Sequence, residues 1–134
     1  MLLNDVRDFI ATLGVAEDEH CYSHELADKK NKSIGIYNLK SSRSPIRTIG
    51  GKDNASYGVK GVSLLVHWTT LPNETEKAAM SLYDSLEKTR NVTINGQTIK
   101  FIQMSASEPI DMSTDEYGIY EYVIECLIYY ERKV

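Results

Sequence analysis

Cysteine, proline and tryptophan are scarce in this chain, with two, three and one among its 134 residues. Two cysteines make at most one disulfide, so the chain is not a disulfide-stapled scaffold. No apolar run approaches the ~20 residues a membrane helix needs. The start, Met1-Leu2-Leu3-Asn4-Asp5, brings an acid where a signal peptide carries basic residues, which leads us to expect a cytoplasmic origin. On that expectation the four Asn-x-Ser/Thr triplets starting at Asn31, Asn54, Asn73 and Asn91 are chance matches rather than glycosylation sites.

What is present fits one α+β domain over residues 1–134. That length is the usual size of a single domain and buries about two-thirds of the unfolded surface. Apolar and charged residues, 42% and 25%, are in ordinary globular proportion. The net charge of −4 hides a segregation. Residues 29–60 hold Lys29, Lys30, Lys32, Lys40, Arg43, Arg47, Lys52 and Lys60 against Asp53, a net +7, which leaves −11 for the remainder. A bipolar chain favours contact between unlike surfaces, including those of its own copies. The plain alternative is a solvated lysine-rich loop.

Periodicity supplies the elements. Leu2, Leu3, Val6, Phe9, Ile10 and Leu13 mark one face of an N-terminal helix, with Gly14 at its C-terminal cap. A polar connection with room for a short strand follows. Ser33–Leu39 reads as a strand, and residues 40–57 as a long basic loop, with Ile46 and Ile49 as docking points. From Gly58 to Thr70 the period is two, with Val62, Leu64, Val66 and Trp68 on the core face. Leu71-Pro72 ends that strand, and Asn73 with Glu76 reads as the cap of a helix running to Thr89. Its buried stripe is Ala79, Leu82, Tyr83 and Leu86. Asn95-Gly96 predicts a hairpin pairing Val92 with Ile99. Residues 105–116 read as turns. The last strand, 117–131, would exceed ~40 Å if straight, so it bends at a bulge or its end reaches outside the domain. The expected fold is a mostly antiparallel sheet with two helices on one face and the long loop between its first two strands.

Catalytic chemistry finds little support. His20 and His24 share a face only if that stretch is helical, and two ligands do not make a structural zinc site. His67 and Cys126 read as isolated strand residues. Cys21 has no base placed beside it. Asp111, Asp115 and Glu116 share one loop without a fixed separation. Gly50-Gly51-Lys52 lacks the rest of a phosphate loop. No catalytic, cofactor or metal site and no small-molecule substrate are therefore expected. Nucleic-acid binding through residues 29–60, with Tyr37 and Tyr57 available for stacking, conflicts with the acidic pI near 5.4. Nine tyrosines, five of them between 117 and 130, suit either a protein interface or the packing of a long strand.

The order of elements, with Gly61-Val62-Ser63-Leu64-Leu65-Val66, Leu82-Tyr83-Asp84-Ser85-Leu86 and Gly118-Ile119-Tyr120-Glu121-Tyr122, resembles the tail terminator or minor capsid proteins of long-tailed bacteriophages and prophages. The resemblance spans nearly the whole chain without an invariant signature. It implies a structural virion protein forming a hexameric ring on the last ring of tail-tube subunits, halting tail growth and offering a surface for head joining. Implied partners are other copies, the major tail tube protein and head connector proteins, without membrane or direct DNA contact. The implied location is the head–tail junction of the virion, with the host cytoplasm as the place of assembly. The long loop, mobile before assembly, would contribute Arg43, Arg47 and Lys52 to contacts, against acids such as Asp115, Glu121 and Glu125. Another connector or head-completion role, or a small nucleic-acid-binding domain, is the alternative.

Overall fold

The computed structural model describes residues 1–24, 31–39 and 57–131. The first helix, α1 (Leu3–Thr12), buries Leu3, Val6, Phe9 and Ile10, as the 3-4 spacing requires. Leu2 departs from the expected stripe and is 71% exposed. It is the N-cap residue, and its N–H donates to Asp5 Oδ2 at 2.8 Å. Gly14 closes the helix with φ of +76°. Arg7 then ties down the connection: its Nε donates to the Cys21 carbonyl at 2.8 Å, and its guanidinium pairs with Asp8 and Asp18.

A 3-10 turn (Asp18–His20) leads into β1 (Cys21–Ser23), which pairs in parallel with β2 (Ser33–Asn38). The basic segment therefore lies between the second and third strands, not the first and second. Residues 40–56, and with them the expected loop mobility, lie outside the described residues.

The third strand, β3 (Tyr57–His67), runs antiparallel to β2. After it, α2 (Pro72–Lys88) has Pro72 in its first turn and Leu71 as N-cap, so Asn73 is not the cap. Proline suits this position because the first N–H groups of a helix have no intrahelical acceptor. The hairpin of β4 (Arg90–Ile94) and β5 (Gln97–Met104) pairs Val92 with Ile99 as expected. Its turn residues have φ of +49° (Asn95) and +79° (Gly96).

Two strands close the sheet, β6 (Ile110–Thr114) and β7 (Tyr120–Glu131), in the order β1-β2-β3-β7-β5-β4 with β6 also on β7. The length of β7 has a direct cause. One of its edges pairs with β3 from Tyr57↔Glu131 to His67↔Glu121. The other edge takes two strands end to end, β5 against residues 126–131 and β6 against 120–123. The register shift falls in β5, between Ile99 and Phe101, and a second lies in β6. Both edges of β7 are thus used within the sheet along its described length.

Alternation separates two sheet faces. Val62, Leu64 and Val66 are fully buried, as are Cys126 and Ile128, and they share one cluster with Phe9, Ile10, Leu82 and Leu86. Burying side chains of this size stabilises the fold by about 1.5–3 kcal/mol each before entropy is counted. The intervening residues Ser63, Leu65, Val123, Glu125 and Leu127 are half-buried.

Candidate functional site

The acids and bases expected at an interface fare differently. Arg43, Arg47 and Lys52 lie outside the described residues. Glu121 and Asp115 come together at one end of the sheet, around a residue that the sequence reading leaves isolated. His67, the last residue of β3, sits directly across from Glu121 of β7, and its Nδ1 lies 2.8 Å from Glu121 Oε2. The same nitrogen lies 3.8 Å from Asp115 Oδ2. Exposure of the three side chains is 4%, 15% and 21% in the order His67, Glu121, Asp115.

Asp115 is aimed by its own turn. Its Oδ1 accepts the Tyr117 and Ile119 N–H groups at 2.8 and 3.0 Å, and its backbone N–H donates to the Ile119 carbonyl. An aspartate folded back on its backbone in this way fixes a tight turn. Beyond it, the Tyr120 N–H donates to the Thr69 carbonyl at 2.9 Å, continuing the pairing past His67. Glu125 is not part of the group. It lies opposite Ser63, four residues further along β7.

Beside this end of the sheet, Tyr22 lies over Gly35 and meets Tyr37 edge to face, with centroids 6.4 Å apart. Burial first, then Tyr37 and the charge of Glu121, hold the Tyr22 phenol well above its ordinary range. Along the same half-buried face Leu65 is opposite Val123 and Gly61 opposite Leu127, and at its far edge Phe101 stacks on Tyr129 at 4.5 Å. Phe101 is 42% exposed.

The other candidates for chemistry do not assemble. His20 ends a 3-10 turn and Cys21 begins a strand, so the helical arrangement of His20 and His24 does not form. Both cysteines are buried and free. Burial raises the Cys21 thiol and pushes the Cys126 thiol up to about 12, which disfavours the nucleophilic thiolate. Asp111 turns back to accept the Ser113 N–H and, after burial, is the largest influence raising the Tyr122 phenol. Two surface clefts, one along α2 from Glu76 to Lys88 and one beside Trp68, include neither Asp111 nor Asp115 nor Glu116.

The His67–Glu121 contact joins residues 54 apart and depends on strand register, which the alternating pattern does not give. A faint signal exists, since both occupy non-core positions at strand ends.

The comparisons with curated proteins and with solved structures return no match. A family model described as "Bacteriophage tail terminator protein" matches residues 9–132, nearly the whole chain. The match supports a structural role in the phage tail. The chain belongs to the bacteriophage tail terminator family.

Proposed function

We propose that this protein closes into a ring on the end of the tail tube, stops tube growth and presents a surface for head joining. In this reading both helices cover one face of the sheet and leave the other to neighbouring subunits. The observation that carries it is that second face, where Leu65, Val123 and Leu127 are half-buried and Phe101 and Ile110 exposed. Apolar side chains gathered on one face of a small protein mark a protein contact. A ring also needs two different complementary surfaces on each subunit. The net +7 of residues 29–60 against −11 elsewhere supplies unlike charges for such a head-to-tail contact. Copies of the chain, tube subunits and head connector proteins are the partners, the ring is a hexamer, and it forms in the host cytoplasm.

The test is Arg43, Arg47 and Lys52 changed together to glutamate. The expected result is a folded subunit that neither forms rings nor joins tails to heads. Joined, infectious particles from the triple variant would remove these three residues from the interface. Sedimentation at rising salt is the companion measurement, because association through exposed charge weakens as the screening length falls.

A further inference from the structure

We propose that the cleft beside Trp68 receives residues 45–49 of a neighbouring copy, isoleucine inward and Arg47 toward Glu17 and Glu19. The proposal rests on the ring reading above and names the surface that takes the basic segment. The cleft measures about 310 Å³. Val15, Ala16 and Trp68 line it and pack with the core cluster, so one side of it is apolar. Glu17 stands at its rim with Glu19 within 4.8 Å of it, and both are exposed. Lys32 also lines the cleft, but Glu74 offsets its charge from 3.6 Å. The opening is therefore apolar within and acidic at its edge.

The basic segment has the complementary chemistry. Pro45-Ile46-Arg47-Thr48-Ile49 sets a cation between two isoleucines, and Lys40, Arg43 and Lys52 flank it against the single acid Asp53. Position in the fold decides between the chain's own cleft and another copy's. The segment leaves the sheet at Leu39, whose N–H donates to the Gly61 carbonyl, and re-enters it at Tyr57. At ~3.3 Å per residue along β3, Gly61 lies about 23 Å and Tyr57 about 36 Å from Trp68. A visit to its own cleft would stretch residues 40–56 to nearly their full contour of about 60 Å. The cleft of a second copy carries no such constraint. Cleft and basic segment thus belong to opposite ends of the sheet, which is the arrangement a head-to-tail contact requires. Apolar insertion supplies the affinity and the charges supply the orientation, because exposed ion pairs contribute little by themselves.

Trp68 is the chain's only tryptophan, so its emission reports occupancy of the cleft. The test titrates a synthetic peptide of residues 40–56 into full-length protein carrying Arg43→Glu, Arg47→Glu and Lys52→Glu, whose own segment no longer competes. The expected result is one saturable change in emission that weakens as salt rises. A peptide with Ile46→Ser and Ile49→Ser keeps every charge and should bind at least about tenfold more weakly. Glu17→Lys with Glu19→Lys in the protein should weaken the native peptide about tenfold, since attraction becomes repulsion at two positions. The control, Asp84→Lys with Glu87→Lys, makes the same charge change at exposed positions on α2 and should cost about twofold at most. No saturable change, undiminished binding of the serine peptide, or equal losses in the two reversed proteins would overturn the proposal. Sedimentation separates this outcome from the ring reading. Rings that persist in Glu17→Lys, Glu19→Lys protein would overturn the cleft alone, whereas peptide binding without rings in the unaltered protein would overturn the ring alone.

Discussion

The Tyr22 ring lies so close over Gly35 that a β-carbon on residue 35 would sit 2.8 Å from it. The contact crosses the parallel pair β1–β2, where Tyr22 is directly opposite Gly35. Tyr22 cannot swing away freely, because Tyr37 packs edge-on against it and only 6% of the residue is exposed. Gly35→Ala is therefore expected to destabilise the fold by about 1–3 kcal/mol, the usual cost of overpacking. Urea unfolding of the two proteins measures it. Tyr22→Leu in the same chain should recover part of the loss, which separates the steric cause from a change in strand propensity.

Asn95 serves the hairpin and the first helix together. Its backbone takes the left-handed conformation of the turn, and its side-chain amide donates to Asp5 and Asp8, both at 2.9 Å. Asn95→Gly keeps the turn and removes only the hydrogen bonds, so a loss of about 0.5–1.5 kcal/mol is expected, near the lower end because the contacts are exposed. Asn95→Ala adds the conformational penalty and should cost more. Asp8 reports the same link, since the Asn95 hydrogen bond is the largest influence holding its carboxyl below the ordinary range, with Arg7 next. In Asn95→Gly the Asp8 titration followed by NMR should move back upward. No movement would show that Arg7 alone sets it.

Cys126 should be silent to thiol reagents in the folded protein and reactive once unfolded. Burial pushes its thiol up to about 12 from an ordinary 9.0. The folded state holds this proton where the unfolded state has lost it, so its contribution to stability is complete below pH 9. It declines as pH rises toward 12, at up to about 1.4 kcal/mol per pH unit. Cys126→Ala should flatten the alkaline limb of the stability profile while lowering stability at neutral pH. An alkaline limb identical in both proteins would assign it to other groups, such as the raised tyrosines.

Elements whose burial repeats along the chain are legible in the sequence, and sites made by register are not. The alternation of Val62, Leu64 and Val66, and that of Ile124, Cys126 and Ile128, reports a core face directly, as does the 3-4 spacing in α1. By contrast β6 is exposed along its whole length, so its five residues carry no burial pattern and read as turns. Leu71 caps α2 without a side-chain hydrogen bond, so Asn73, with its good capping chemistry, is the more visible choice. The approach of His67 to Glu121 and Asp115 needs β3 paired with β7 in one register, and a shift of a single residue would send His67 to the opposite face. Asp115 and Glu121 stand out as acids, but their common neighbour is a product of the fold.

Leu65 tests whether the second face of the sheet is a contact surface. It lies opposite Gly35 on one side and Val123 on the other, and is half-buried in the subunit. Lysine can carry its ammonium to solvent from such a position while its methylene stem covers the neighbours. Leu65→Lys should therefore cost the subunit no more than about 1 kcal/mol, within the range of surface changes and mild core swaps. A buried charge at the centre of an assembled interface is far more costly, since it must lose its water without a partner. The expected outcome is a folded subunit with near-native thermal stability that no longer sediments as a ring and yields unjoined heads and tails. The same change at the neighbouring Leu64 is not equivalent, because that side chain is fully buried in the core and its loss would unfold the subunit before any interface could be tested. Rings of native stability from Leu65→Lys would place the subunit contact elsewhere, and the exposed edge of β6, with Ile110 and Met112, would then be the surface to alter next.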